Sequence, residues 1–152
     1  MQDRTKRLCP RRVRAAWAVA SPLALLAATP AVAAAASPLQ GSWLTDDRKA
    51  IVAIAPCGER LCGRLARVLD KGPAVPKADI NNPDSRLRSR PLTGLVILRG
   101  FVRRGDEWEG RAYDPKSGRT YRSTLRFQPD GSLKVTGCVL FICQSRRWTR
   151  AP

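Results

Sequence analysis

Residues 108–127, WEGRAYDPKSGRTYRSTLRF, read as a β-hairpin, and the fold follows from that reading. In the first arm Trp108, Gly110 and Ala112 alternate with Glu109 and Arg111; in the second Tyr121, Ser123, Leu125 and Phe127 alternate with Arg122, Thr124 and Arg126. Successive side chains of an extended strand point to opposite faces, so a period of two gives each arm one apolar and one charged face. Between the arms, Asp114-Pro115-Lys116-Ser117-Gly118 supplies an Asx acceptor, a fixed φ and a glycine free to take positive φ, which a short reversal requires.

The same grammar runs outward in both directions. Upstream, residues 41–45 form a short strand turned by Asp46-Asp47. Residues 50–55 are apolar on both faces, which predicts a strand covered on both sides or lying at the tightest part of the sheet. Pro56 and Gly58 end it, a third strand runs over residues 62–69, and a fourth over 94–102 leads through Arg104-Gly105-Asp106 into the hairpin. Downstream, Pro129-Asp130-Gly131 turns into a strand at 133–136, and residues 144–150 form the last one. Residues 70–93 lack any period and are punctuated by Gly72, Pro73, Pro76, Asn81, Asn82, Pro83 and Pro91. They predict one long loop or a short helix after Asn82-Pro83, with Asn82 as the cap.

Eight sequential strands joined mostly by short turns can close on themselves and so remove exposed edges. The expected fold is all-β: an eight-stranded antiparallel up-and-down barrel, wide enough inside for side chains or one small ligand. Closure pairs the first strand with the last, and Gly41-x-Trp43 and Trp148-x-Arg150 stand at those two ends.

Residues 1–36 carry a different pattern. Arg4, Lys6, Arg7, Arg11, Arg12 and Arg14 precede an apolar stretch at 15–28 and small-x-small sites at 31–36, the layout of a secretory signal peptide. Pro22 and Pro30 interrupt the run of about 20 apolar residues that a membrane anchor needs. Arg11-Arg12 hints at a twin-arginine route, although Val13-Arg14 lacks the expected apolar follow-on. The domain is then residues 37–152, in an exported, periplasmic or secreted setting. The chain has 28 basic and 12 acidic residues; the leader removes six and one (Asp3), which leaves 22 against 11, or +11. Such a surface draws anionic partners, outside the cytoplasm an anionic envelope surface rather than nucleic acid; the plainer reading is a set of solvated faces.

Cys57, Cys62, Cys138 and Cys143 remain in the domain. An even number in an exported chain implies disulfides, and the absence of histidine argues against a metal site. Cys57 and Cys62 flank the loop after strand two, while Cys138 and Cys143 flank the loop after strand seven, at the opposite barrel end. Only the local pairs, Cys57–Cys62 and Cys138–Cys143, then fall within disulfide reach.

Gly-x-Trp on the first strand with a terminal arginine resembles the lipocalin and wider calycin pattern, which implies that Arg150 packs across Trp43 and closes the barrel floor. The whole mature chain resembles the DUF2147 family of small exported bacterial proteins. The resemblance rests on Gly41-Ser42-Trp43, Cys57-Gly58 with Leu61-Cys62-Gly63, Asp79 with Asn82-Pro83, Arg90-Pro91-Leu92, Tyr113-Asp114-Pro115, and Gly137-Cys138 through Trp148-Thr149-Arg150. It implies a lipocalin-like barrel and brings no catalytic residues with it.

With the floor at Trp43 and Arg150, the mouth gathers the loops after strands one, three, five and seven, with the basic segment 70–93 as a lid. Val139-Leu140-Phe141-Ile142 is either an apolar tip at that mouth or a continuation of strands seven and eight into the core. Gln144 and Arg146 share the face of Trp148, so they enter the lumen if that face points inward; an arginine there needs an acidic partner or an anionic ligand. Candidate ligand contacts are Trp108, Tyr121, Gln144, Arg146, Leu140 and Phe141. Asp79, Asn82 and Asp84 read as an Asx turn and helix cap before they read as a calcium site. Catalytic signals are thin: there is no histidine or serine elbow, and what remains is a carboxylate pair, for example Asp114 with Asp79. The expectation is a monomeric binding protein without cofactor or metal, not an enzyme, holding a small apolar or amphipathic, lipid-like anion. The alternative is an envelope interaction or inhibitor module acting through basic loops around a filled barrel.

Overall fold

The computed structural model describes residues 36–73 and 75–152; the predicted leader lies outside the described residues apart from Ala36. The described chain forms eight strands: β1 Gly41–Leu44, β2 Ala50–Cys57, β3 Arg60–Val68, β4 Val96–Arg104, β5 Glu107–Asp114, β6 Arg119–Phe127, β7 Leu133–Val139 and β8 Ile142–Arg150. Each pairs antiparallel with its neighbour in sequence, and β8 returns to β1, closing the barrel in the predicted up-and-down order.

Register decides which side chains fill it. Trp43 stands opposite Val52 and Val52 opposite Leu65, while Leu98, Ala112 and Tyr121 face one another across β4, β5 and β6. Leu133 faces Trp148. Directly opposed residues in an antiparallel pair share a face, so these rows point inward together. Trp43, Val52, Phe101, Leu125 and Leu133 are completely buried among them. Two glycines admit the largest groups. A Cβ on Gly63 would meet the Leu98 side chain, and one on Gly110 would meet the Phe101 ring.

The outer face of β2 departs from one of the two sequence readings, a strand covered on both sides. Ile51 and Ala53 are half-buried and Ala55 is exposed, so the strand is covered on its inner side only. Small apolar residues tolerate such a wall without needing a second layer.

The segment between β3 and β4 lies elsewhere than expected. Tyr113 and Ile97 point outward by alternation, yet both are buried, because this segment packs Leu92, Asp79 and Asn82 against them. It is therefore a cover on the outer wall of β4 and β5 that reaches the mouth end at the β5–β6 turn, where Asn81 donates to the carbonyls of Pro115 and Lys116. A bridge between Ala78 and Pro91 ties its two limbs. Its short helix is a single 3-10 turn, Ser85–Leu87, and the cap is Asp84 rather than Asn82. Asn82 instead accepts from the Asp84 amide, an Asx turn that carries the chain through Pro83 into the cap.

Candidate functional site

The barrel floor is built on one cation. The Arg150 guanidinium lies 4.1 Å from the centre of the Trp43 ring and donates to the carbonyls of Gln40 and Pro38, each at 2.6 Å. Trp43 donates its indole N–H to the Leu39 carbonyl at 2.8 Å, and buried Leu39 plugs the floor. Gly41 has φ 121°, and a Cβ there would collide with the arginine head, which explains the Gly-x-Trp spacing. Phe127 meets the Trp43 ring edge-on at 6.3 Å.

The other end is open. β1 pairs with β8 only through Trp43 opposite Arg150 and Leu44 opposite Thr149, so β8 continues toward Ile142 with no pairing on that side. Gln144 stands opposite Gly137 and Arg146 opposite Val135, on the inward rows, but both side chains are exposed. Tyr121 leans over Gly137, close enough that a Cβ there would touch its own, and shares a hydrogen bond with Ser117 Oγ at 3.1 Å. Tyr121, Gln144 and Arg146 thus share the inward parity of β6 and β8 above the packed floor, the last two solvent-exposed. Arg146 finds a carboxylate in Asp46 of the β1–β2 turn at 3.4 Å, with 61% of its side chain still exposed. Trp108 does not join this group: it sits opposite Leu125 toward the floor, half-buried against the core.

Leu140 and Phe141 form the turn between β7 and β8, each 89% exposed, with Val139 at 52% and Ile142 at 66%. These residues do continue the two strands, but beyond the barrel rather than into its core. Disulfides join Cys57 to Cys62 and Cys138 to Cys143, the local pairing.

A buried polar cluster escaped the residue-by-residue reading. Asp79 accepts from Tyr113 Oη at 2.6 Å, from Asn82 Nδ2 at 2.7 Å and from Arg90 Nη2 at 2.8 Å and Nε at 3.1 Å. Burial alone would raise its carboxyl, but the hydrogen bonds from Tyr113, Arg90 and Asn82 outweigh that and hold it below the ordinary range. Burial and the neighbouring Asp79 push the Tyr113 phenol upward. Both carboxylate oxygens of Asp79 are engaged, Oδ1 by Tyr113 and Oδ2 by Asn82 and Arg90, so the cluster fastens segment 70–93 to the wall. Asp114, the other member of the carboxylate pair considered, is engaged in its own turn with Lys116 N and Ser117 Oγ. The signal was present in the motif residues Asp79, Asn82, Arg90 and Tyr113, which sequence order scatters and only the fold collects. Among the described residues no group of three or more acidic, histidine or cysteine side chains could hold a metal ion.

Among solved structures, the barrel is similar to protein HP1028 from the human pathogen Helicobacter pylori, which belongs to the lipocalin family: TM-score 0.66, 21% identity, covering 75% of this chain and 83% of that one. At that identity the likeness establishes the fold. No curated protein matches the chain. Residues 41–150, from the first residue of β1 to the last of β8, match the family described as "Uncharacterized protein conserved in bacteria (DUF2147)". The match takes in every strand of the barrel, and the chain belongs to the DUF2147 family.

Proposed function

We propose that this protein is an exported, monomeric carrier, and not an enzyme, that holds a small anionic amphipathic molecule in the open end of its lipocalin-like barrel. The observation that carries this reading is the inward parity and solvent exposure of Gln144 and Arg146 above a floor sealed by Trp43 and Arg150; with Tyr121 they would rim a cup at that end. An inward-facing arginine that keeps most of its surface accessible can give up a 3.4 Å contact with Asp46 for a ligand carboxylate or phosphate. The half-buried Ala50, Ala112 and Val68 pack against the core near the cup and suit an apolar tail. The two disulfides and the bacterial family fit a protein that works outside the reducing cytoplasm.

The test is displacement of a fluorescent fatty-acid probe. Arg146→Gln should weaken binding about tenfold, the scale of a lost charge-assisted hydrogen bond that is partly solvated. Gly137→Phe, which fills the space beneath Tyr121, should abolish it with the β-sheet circular dichroism retained. Equal affinity in all three proteins, or no probe binding by the parent, would refute a ligand in the cup. That second result would favour the other reading, an interaction module around a filled barrel, which the large buried side chains of the floor support.

A further inference from the structure

The outer wall carries a feature that the cup does not use. Arg99 stands directly opposite Arg111, and Arg111 directly opposite Arg122, so three guanidinium groups lie side by side across β4, β5 and β6. The row continues from Arg122 to Cys138. At its other end Cys62 faces the Arg99–Gly100 bulge, because Leu61 pairs with Phe101 and Gly63 with Leu98. Arg60 extends over that bulge, 3.4 Å from where a Gly100 Cβ would lie. These four arginines line one groove of about 720 Å³ with Glu109 and Leu140. A second groove of about 500 Å³, lined by Arg64 and Arg90, adjoins it through Arg99.

Like charges directly opposed in an antiparallel pair are destabilising unless carboxylates offset them, and elsewhere on this wall they are offset. The next row down reads Val102, Glu109, Thr124, Thr136 and Ser145, and is nearly neutral. In the row beyond it Arg126, Lys134 and Arg147 are also directly opposed, but there carboxylates intervene: Arg126 pairs with Asp106 and Glu107, and Arg147 with Asp130. Among the described residues, Arg60, Arg99, Arg111 and Arg122 have no ion pair. An exposed row of unneutralised, mutually repelling guanidiniums is what an oxyanion ligand would relieve.

Leu140 says what kind of ligand. It shares the outward parity of Cys138, lines the same groove and is 89% exposed, and the Cys138–Cys143 bond holds its hairpin in place. Its φ is 54°, in a region where a turn favours glycine or asparagine, so the position keeps a large apolar side chain against the preference of its backbone. A soluble polyanion has no use for such a group. A lipid surface does.

The geometry points to this wall as a docking face for an anionic bilayer: the arginine row takes the phosphate-bearing headgroups while Leu140 and Phe141 enter the acyl boundary. The site lies outside the barrel and is independent of the cup.

Purified protein with intact disulfides, sedimented with phosphatidylglycerol vesicles, tests it. Binding is expected to be salt-sensitive and absent with phosphatidylcholine. The double variant Arg111→Gln/Arg122→Gln should weaken it roughly 30-fold, the effect of removing two cations from an anionic surface. Leu140→Ser/Phe141→Ser should also weaken vesicle binding while leaving retention by soluble polyphosphate unchanged, and Arg146→Gln should leave vesicle binding untouched. The proposal is overturned if the double arginine variant binds vesicles like the parent, or if no vesicles are bound. It is overturned in favour of a soluble polyanion if polyphosphate competes fully and the tip variant sediments like the parent.

Discussion

Trp43 and Arg150 show how far single residues carry the fold. The Gly-x-Trp and terminal-arginine spacings named the floor pair before any geometry was known; what they could not convey is that Arg150 also ties down the carbonyls of Pro38 and Gln40. Trp43→Ala should leave a cavity in the packed floor and cost about 3 to 5 kcal/mol in chemical denaturation. Arg150→Ala should cost less, because that side chain is largely solvated. The two should be coupled by about 0.5 to 1 kcal/mol, the value of an exposed cation over an indole, in a double-mutant cycle. Strict additivity would show that the contact contributes nothing. Arg146 was legible too, but only by alternation. Sequence placed it on the face of Trp148, in need of an acidic partner or an anionic ligand if that face points inward; it could not reveal that a short β1 leaves that part of β8 uncovered and the arginine wet.

At the scale of elements, strands were readable and the segment between β3 and β4 was not. Strands announce themselves through a period of two, which is local. Residues 70–93 owe their order to Asp79, whose partners are Asn82, Arg90 and Tyr113, the last of them on β5, and no local period encodes such a meeting. The consequence for pH has a definite sign. A carboxyl held below its unfolded value of about 3.9 contributes stability that is complete above that pH and is lost as pH falls through the lower folded value. Asp79→Asn should therefore destabilise the protein at neutral pH, by about 3 kcal/mol for a buried ion pair broken from one side, and flatten the acid limb of its stability curve. Hydrogen exchange at pH 7 should locate the loss in residues 75–92. Unchanged protection there would mean that the cover is held by Leu92 and Ile97 alone.

For the whole molecule, the arginine row connects stability to function through charge. Barrel strands tilt, so a row that follows the hydrogen bonds climbs the wall as it crosses it. That is how one line can start at Cys62, beside the loop after β2, and finish at Cys138, beside the loop after β7, with three arginines between two disulfides. Reading the loops as belonging to opposite ends gave the correct local pairings but concealed this line, since strand alternation says nothing about tilt. A domain with a net charge of +11, with two rows of three cations directly opposed and one of those rows without carboxylate partners, is strained by its own field. Salt shortens the reach of that field from about 30 Å at 0.01 M to about 8 Å at 0.15 M. The melting midpoint should therefore rise with ionic strength, against the fall expected if favourable ion pairs dominated. Arg111→Gln/Arg122→Gln should melt about 2 to 5 °C above the parent at low salt, with the gap closing as salt is added. The variant that loses a ligand would then be the more stable protein, as expected where stability has been given up for a site. If it melts below the parent at every ionic strength, the arginines are held by interactions within the wall and the row is structural.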